Sequence, residues 1–411
     1  MIETSRPARN EATPARWRAN SHRAADQFPI EDWDRAPWNR WAFQHVRELV
    51  PTAEVWRGEG PVSPLAEARQ DLSRIAFLRH DGSKSTVSGL LDSTSTDGFI
   101  VIHRGRILAE EYRNGMTPRT LHLSQSVAKS VVGSVAGVLV HQGLLDPAAP
   151  LTQYMPELAT TGYAGAAVQH VLDMTSGVSF NELDYTNRFS DIGKTDVACG
   201  WKPIPAEPPP TGPWYTSMWE QILTLKAKDA EHGSRFLYRS IETDVLGFAM
   251  ERASGKRLPE LVSEHLWQPM GAGESANFTV DRTGYALASG GFNATLRDYA
   301  RFGLVHLGIG TFNGQAILPA EWIIDIRRGG HGMMDDYGRQ LFPKGVYRNQ
   351  FWVADKGAQT AQARGIFGQL VYIAPEHDLV VAKLSTYPAP VILNHSLDTL
   401  AAIKAIAAEL A

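Results

Sequence analysis

Strand-forming segments near both ends of the chain are the feature that most constrains the fold of these 411 residues. Residues 98–109 and residues 370–384 each contain two short apolar and β-branched runs around a turn, a pattern that predicts a β-hairpin. Residues 126–286 have mostly helical patterns, and further helices are predicted over residues 43–49 and 394–410. Both ends of the chain are therefore expected to build one antiparallel sheet, with a helical lobe inserted between its strands.

The predicted fold class is α+β, and one domain is expected to hold most of the chain. A flexible leader is predicted for residues 1–30, where arginines stand among proline and small residues. The single domain then covers residues 31–411, with an α/β lobe from residues 31–125 and 287–411 and the helical lobe from residues 126–286. A cleft between the two lobes is the expected place for a functional site.

The composition excludes several classes of partner. A net charge of −4, with acidic and basic residues interspersed, provides no large field for nucleic acid or anionic lipid. No apolar run has the length of a membrane span or of a secretory signal. The single cysteine, Cys199, excludes a disulfide framework and a multi-thiolate metal site. We therefore expect a cytoplasmic protein that contacts neither nucleic acid nor membrane.

One motif carries candidate chemistry. Ser126 and Lys129 begin the segment 126–140, which is small and apolar on nearly every side, so the predicted helix is buried and the two side chains share a face. Burial lowers the pKa of a lysine, and the neutral amine can take the proton of an adjacent hydroxyl. The backbone N–H of Ser126 at the helix N-terminus can also face a developing oxyanion. The motif thus indicates Ser126 as a nucleophile and Lys129 as its base.

A structural interpretation of this motif stays open beside the catalytic one. Ser126 can cap the helix while Lys129 extends to solvent. The motif is, however, the only Ser-x-x-Lys in the chain and begins its most apolar helix, which favours catalysis. No His-Glu-x-x-His, Gly-x-Ser-x-Gly, phosphate-loop or Cys-x-x-Cys motif is present, and the thirteen histidines are scattered. Neither a metal nor a cofactor is therefore expected.

The surroundings of Ser126 resemble a known family. Residues 123–130 and 168–177 resemble the corresponding segments of the β-lactamase-related serine hydrolases. Residues 38–43 and 238–240 resemble those of the 6-aminohexanoate-dimer hydrolases, which are relatives of class C β-lactamases and family VIII carboxylesterases. The resemblance covers most of the chain and implies a β-lactamase-like fold. Many relatives are dimers, and the sequence leaves a homodimer open for this chain.

The resemblance implies two further parts of a catalytic site. Tyr238 occupies the family's third catalytic position, in a Tyr-x-Ser motif that ends at Ser240. A tyrosine near a lysine ammonium ionises more readily and can pass protons to the leaving group. Residues 364–369, which include Gly365, stand where β-lactamases carry Lys-Thr-Gly, and the Ile366 N–H is implied to complete the oxyanion hole with that of the nucleophile. In β-lactamases, the lysine and threonine of this motif bind the carboxylate of the β-lactam. This chain lacks both residues, so efficient penicillin hydrolysis is not expected.

The resemblance also implies how a substrate is bound. Tyr185 matches a tyrosine that reaches the scissile amide nitrogen. Asp196 matches an acidic position that recognises the substrate's free amine, and a solvated loop aspartate is the alternative for this residue. Ser240 and Gly365 belong to the same substrate-binding set. Phe367 stands where the dimer hydrolases carry a histidine, so the pocket wall and the specificity are implied to differ.

These residues predict a serine hydrolase that cleaves linear amides or carboxyl esters of small molecules through an acyl-enzyme. One alternative is a short-chain carboxylesterase with incidental amidase or weak β-lactamase activity. Another is a penicillin-binding receptor that is acylated without turnover. Retention of Lys129 and Tyr238 argues against the receptor, because a binding module needs neither side chain.

Overall fold

The computed structural model describes residues 29–330, 334–354, 357 and 359–411. All but the last two residues of the predicted leader, residues 1–30, lie outside the described residues. The strands of the described part are, in chain order, β1 Thr52–Val55, β2 Ala66–Glu67, β3 Ala76–Leu78, β4 Lys84–Thr86, β5 Thr96–His103, β6 Arg106–Tyr112, β7 His122–Leu123, β8 Ala276–Thr279, β9 Phe292–Ala294, β10 Thr311–Phe312, β11 Gln315–Ala316, β12 Val346–Arg348, β13 Phe351–Val353, β14 Ala361–Gly365, β15 Gln369–Ala374 and β16 Leu379–Ser385.

Helices occupy much of the remaining described chain. They are, in chain order, α1 Asn39–Ala42, α2 Val87–Ser93, α3 Val127–His141, α4 Val168–Leu172, α5 Asp191–Ala198, α6 Met218–Thr224, α7 Ile241–Ser254, α8 Leu258–Val262, α9 Leu296–Leu307, α10 Ala320–Arg328, α11 Asp336–Leu341 and α12 Leu393–Leu410. Among the described residues, no helix combines the length and the apolar character that crossing a bilayer requires.

An eight-stranded sheet joins the two ends of the chain. Its strand order is β12-β13-β14-β15-β16-β5-β6-β2, and neighbouring strands are antiparallel except for β6 and the short β2, which run parallel. The two predicted hairpins are β5–β6 and β15–β16, and β16 pairs directly with β5, with Val381 opposite Val101. The α+β class and the antiparallel sheet built from both ends of the chain are therefore confirmed.

Helices cover both faces of this sheet. Successive residues of β16 point to opposite faces, so Val380 contacts Gly303 of α9, whereas Val381 lies in the apolar cluster that contains Ile403 and Ile406 of α12. Helix α12 is the predicted closing helix. The sheet is buried on both sides, which explains why its central strands are almost entirely apolar.

The helix expected over residues 43–49 is interrupted. The chain forms α1 at Asn39–Ala42 and a separate 3-10 turn at Val46–Glu48. The Nδ1 of His45 lies 2.8 Å from the carbonyl oxygen of Trp41, the acceptor that a continuing helix would offer to the His45 N–H. This local competition breaks the helix, and apolar periodicity alone does not reveal it.

A second sheet of four strands positions the start of α3. Its order is β1-β8-β9-β7, so residues 126–286, predicted as a helical lobe, also contribute the strand β8. Strand β7 ends just before the Ser126 motif, and the N–H of Ser124 donates to the carbonyl of Phe292 at 3.0 Å. This pairing places the start of α3 beside residues 289–291.

Helix α3 lies in the interior of the protein. Every residue from Val127 to Leu139 is buried. A Cβ on Gly133 would clash with the backbone of Asn349, and one on Gly137 would clash with the ring of Trp322. The small residues of this helix therefore allow the turn between β12 and β13 and the helix α10 to approach it closely.

Candidate active site

Ser126 lies at the turn that connects β7 to α3. The preceding residue, Gln125, has a φ of 50°, in the left-handed region, which makes this turn sharp. The Ser126 side chain makes no capping hydrogen bond with the helix, and the Nζ of Lys129 donates to its Oγ at 2.8 Å. Lys129 is only 1% exposed, so the alternative of a capping serine with a solvent-exposed lysine is excluded.

The Lys129 amine is enclosed by protein. Its Nζ donates a second hydrogen bond to the carbonyl oxygen of Ser289 at 2.6 Å. Burial lowers the pKa of Lys129 to about 8, and the charges of Glu182 and Asp244 oppose a larger decrease. Near pH 8 the neutral amine is therefore abundant, and that form can accept the proton of Ser126.

Tyr238 lies beside the same amine. The Nζ of Lys129 is 5.2 Å from the centroid of the Tyr238 ring, which stacks on Trp352 with the two centroids 5.3 Å apart. Loss of solvent raises the pKa of Tyr238 well above its usual value, an effect that Glu182 reinforces and a hydrogen bond with Ser126 opposes. The expectation that this tyrosine ionises more readily is wrong. Its hydroxyl keeps the proton and is available as a donor.

Glu182 is a residue of the site that the sequence patterns did not reveal. Its buried carboxylate accepts hydrogen bonds from the Tyr185 hydroxyl at 2.7 Å, from the Ser240 hydroxyl at 2.6 Å and from the Ser240 backbone N–H. One carboxylate thus holds two of the predicted substrate-binding residues. The sequence offered a weak signal, since Glu182 comes two positions after the apolar Phe180 and three positions before Tyr185.

The end of strand β14 passes the N-terminus of α3. A Cβ on Gly365 would collide with the carbonyl oxygen of Ser124 and would lie 3.0 Å from the backbone nitrogen of Ser126. The next residue, Ile366, lines a pocket together with Ser126. The two backbone N–H groups expected to form an oxyanion hole are therefore on adjacent segments, and glycine at position 365 permits this approach.

One pocket collects most of the predicted site residues. The predicted residues in its wall are Ser126, Tyr185, Asp196, Ser240, Ile366 and Phe367. Apolar side chains form another part of the wall, namely Ile192, Trp201, Leu287 and Pro390. Lys129 and Tyr238 reach the site through their contacts with Ser126, and Gly365 through its approach to the Ser126 nitrogen.

Asp196 has its charge compensated within the protein. The Nζ of Lys202 lies 2.9 Å from the Asp196 carboxylate and 3.3 Å from the Asp34 carboxylate. The Nη2 of Arg35 lies 3.9 Å from Asp196, and its Nε lies 3.5 Å from Asp34. We call Asp34, Arg35, Asp196 and Lys202 the ion cluster. The alternative of a solvated loop aspartate is excluded, because the Asp196 side chain is 19% exposed and paired.

Phe367 supports the pocket wall from the core. It is 1% exposed, and its ring meets that of Phe43 edge to face with centroids 5.4 Å apart. Its φ is 62°, and its N–H donates to the carbonyl of Pro390 at 2.8 Å, which holds the turn after β14. An aromatic side chain is well accommodated in this apolar setting.

Comparison with known proteins agrees with this geometry. Residues 84–403 match the family described as Beta-lactamase. The chain belongs to the beta-lactamase family. This family member is 37% identical over 369 residues to the 6-aminohexanoate-dimer hydrolase of Paenarthrobacter ureafaciens, and the match covers 89% of this chain and 90% of that relative. The resemblance noted in the sequence is therefore confirmed.

Solved structures place this beta-lactamase family member near the same relatives. A Bacillus anthracis protein provisionally named a 6-aminohexanoate-dimer hydrolase superposes with a TM-score of 0.84 at 28% identity, covering 94% of this chain and 97% of that one. A Bacteroides dorei protein provisionally named a beta-lactamase has a TM-score of 0.62 at 19% identity, covers 79% of this chain and 96% of that one, and shows the shared fold. The chain is thus a serine hydrolase of the kind that cleaves amide or ester bonds.

Proposed function

We propose that Ser126 attacks the carbonyl carbon of a linear amide or carboxyl ester and forms an acyl-enzyme. The observation that carries this proposal is the 2.8 Å hydrogen bond between the buried Lys129 amine and the Ser126 hydroxyl. The neutral amine takes the hydroxyl proton as the new C–O bond forms. The N–H groups of Ser126 and Ile366 stabilise the negative charge on the carbonyl oxygen.

Tyr238 then serves as the proton donor to the leaving group. Its hydroxyl is protonated in the resting enzyme, so it can give a proton to the departing amine or alkoxide, and the Lys129 ammonium restores that proton. Water next loses a proton to the neutral Lys129 amine and attacks the acyl carbonyl. The C–O bond to Ser126 then breaks, the Lys129 ammonium returns the proton to the Ser126 oxygen, and the acid is released. The proposal requires no metal and no cofactor.

Tyr185 and Ser240 contact the leaving-group side of the substrate in this proposal. Both are held by the Glu182 carboxylate, which fixes their hydroxyl groups relative to Ser126. A fixed pair of hydroxyls can orient an amide nitrogen for protonation by Tyr238. The curated relative is named for the 6-aminohexanoate dimer, so the proposed substrates are linear amides or esters of comparable size. We also propose a cytoplasmic location, which the single buried cysteine supports.

The proposed function is tested with two substrates that share one acyl group. The ester is p-nitrophenyl hexanoate, and the linear amide is N-hexanoyl-6-aminohexanoate. Repeated turnover of both substrates is expected, because the same acyl-enzyme forms from each. Turnover of the ester alone would refute the amidase activity and leave a carboxylesterase. A single burst without turnover would indicate the acylated receptor instead, and no reaction with either substrate would contradict the proposal.

We expect Gly365→Ala to lower the kcat/KM for p-nitrophenyl hexanoate by about 10²–10³-fold, the typical cost of losing one oxyanion donor. The added methyl group would push β14 away from the Ser126 N–H. Gly60→Ala is the control, because a Cβ at Gly60 has no heavy atom within 4 Å. An unchanged rate in Gly365→Ala would place the oxyanion hole elsewhere.

A further inference from the structure

The ion cluster changes what one part of the pocket can bind. This part is lined by Asp34, Arg35 and Asp196, and we call it the acyl end, because the resemblance places the free amine on the acyl half of a 6-aminohexanoate dimer at Asp196. Asp196, Asp34 and Arg35 line the same pocket as Ser126, whereas Lys202 pairs with Asp196 from outside that lining. The formal charges of the four members of the cluster sum to zero. Their side chains are between 6% and 24% exposed, so bulk water screens them only in part. Among the described residues, the two acids that line this pocket, Asp34 and Asp196, are therefore both paired with cations.

Lys202 is the residue that compensates Asp196 most directly. Its Nζ lies between the carboxylates of Asp196 and Asp34 at 2.9 and 3.3 Å. The Arg35 guanidinium approaches the same two acids and donates to the Tyr185 carbonyl at 2.5 Å, which anchors it. A substrate ammonium would have to displace Lys202 from its position or share Asp196 with two resident cations. Neither arrangement yields the attraction that an unpaired carboxylate would provide.

We propose that the acyl end of this pocket takes acyl chains with an uncharged end and discriminates against chains that end in an ammonium group. Lys202 sets this preference, because its ammonium already pairs with the Asp196 carboxylate that a substrate ammonium would need. The apolar lining by Ile192, Leu287 and Pro390 suits such an uncharged chain. The inference rests on the proposed function, since it assigns the substrate class of the same acyl-enzyme.

A charge series of substrates tests this preference. The three p-nitrophenyl esters have acyl chains of equal length: hexanoate is neutral, 6-aminohexanoate carries an ammonium and the adipate monoester carries a carboxylate. The wild-type enzyme is expected to hydrolyse the neutral ester at least about tenfold more efficiently than the ammonium ester, measured as kcat/KM. A wild-type preference for the ammonium ester would overturn the inference.

Two variants shift the charge of the ion cluster in opposite directions. Lys202→Met removes the nearer of the two cations that pair with Asp196 and gives the cluster a net charge of −1, so the ratio of kcat/KM for the ammonium ester to that for the neutral ester should rise about tenfold. Asp196→Asn gives the cluster a net positive charge, so the ratio of kcat/KM for the carboxylate ester to that for the neutral ester should rise. The matched control is Lys256→Met, which removes an exposed lysine that pairs with Glu264, and it should leave both ratios unchanged.

The outcomes separate this inference from the proposed function. Hydrolysis of the neutral ester that depends on Ser126 reports the proposed function by itself. If that hydrolysis is present while Lys202→Met and Asp196→Asn leave both ratios unchanged, only the charge preference is refuted. If Lys202→Met does not fold, Lys202→Gln and Asp196→Asn decide the question, because each also changes the net charge of the cluster by one.

Discussion

Ser126→Ala is expected to lower the kcat for ester and amide hydrolysis by a factor on the order of 10⁴–10⁶, the range seen when a serine nucleophile is removed. Without the hydroxyl oxygen no acyl-enzyme can form, whereas the oxyanion donors and the pocket stay in place. The residual rate is therefore that of water attacking a bound and polarised carbonyl. The measurement is steady-state hydrolysis of p-nitrophenyl hexanoate and of N-hexanoyl-6-aminohexanoate.

Ser134→Ala is the matched control for the nucleophile variant. Ser134 lies two turns further along α3, is fully buried, and donates to the carbonyl of Ser130 at 2.7 Å. Its loss removes a hydroxyl from the same helix but none from the pocket, so the kcat should change little. Full activity in Ser126→Ala would eliminate every mechanism based on this serine.

Lys129→Met is expected to lower kcat/KM by about 10²–10⁴-fold, the usual contribution of a general base. Methionine has a similar length and volume but cannot accept the Ser126 proton. Lys129→Arg should be as inactive, because a guanidinium stays protonated at every accessible pH. The measurement is kcat/KM for p-nitrophenyl hexanoate at pH 8, together with thermal unfolding of each variant.

The effect of Lys129→Met on stability distinguishes a catalytic from a structural role. Burial lowers the pKa of Lys129 to about 8 from 10.5, so at pH 7 the charged amine costs stability in the folded state, and that cost disappears as the pH rises toward 10.5. Removing the amine relieves this cost but leaves the Ser289 carbonyl without its donor, so little net change in unfolding temperature is expected. A variant that loses activity only because it unfolds would contradict this account.

Lys194→Met is the control for removal of a buried lysine. Lys194 is 5% exposed and donates to the carbonyl of Thr211 at 2.7 Å, outside the pocket that Ser126 lines. It should retain near wild-type kcat/KM. If Lys194→Met loses as much activity as Lys129→Met, the loss would come from removing a buried lysine that folding needs and not from removing the general base.

A second lysine, serine and tyrosine lie together elsewhere in the protein, as Lys129, Ser126 and Tyr238 do. This group shows that a lysine–serine hydrogen bond alone does not make an active site. The Nζ of Lys383 donates to the Ser385 hydroxyl at 2.5 Å and lies 5.0 Å from the centroid of the Tyr387 ring. Burial lowers the pKa of Lys383 to about 7. Ser385 is, however, fully buried, whereas Ser126 lines a pocket. Access to substrate therefore separates the two groups.

The parts of the site that could be predicted from the sequence depend on local spacing. Ser126 and Lys129 are three residues apart on one helix, so their contact follows from helical geometry. The hairpins were predicted for the same reason, because each pairs neighbouring segments through a short turn. Tyr238 and Ile366 were placed by family resemblance and not by local pattern.

The rest of the site depends on contacts between distant segments. Lys129 bonds to the carbonyl of Ser289, which any residue type could supply, so no side-chain pattern marks it. Arg35 and Lys202 meet Asp196 only in the folded protein, and before folding each is an ordinary charged residue in a polar segment. The compensation of Asp196 was therefore invisible in the sequence, although the position of that aspartate was predicted.

The central claim is that the neutral Lys129 amine activates Ser126, and the pH dependence of acylation tests it most directly. The enzyme is mixed with a slow p-nitrophenyl ester at several pH values between 6 and 9.5, quenched at short times, digested and examined by mass spectrometry. The account predicts an acyl group on the peptide that contains Ser126, formed at a rate that rises with pH and levels off above a midpoint near the Lys129 pKa of about 8. An acyl group on another residue, or an acylation rate that does not change across this range, would contradict it.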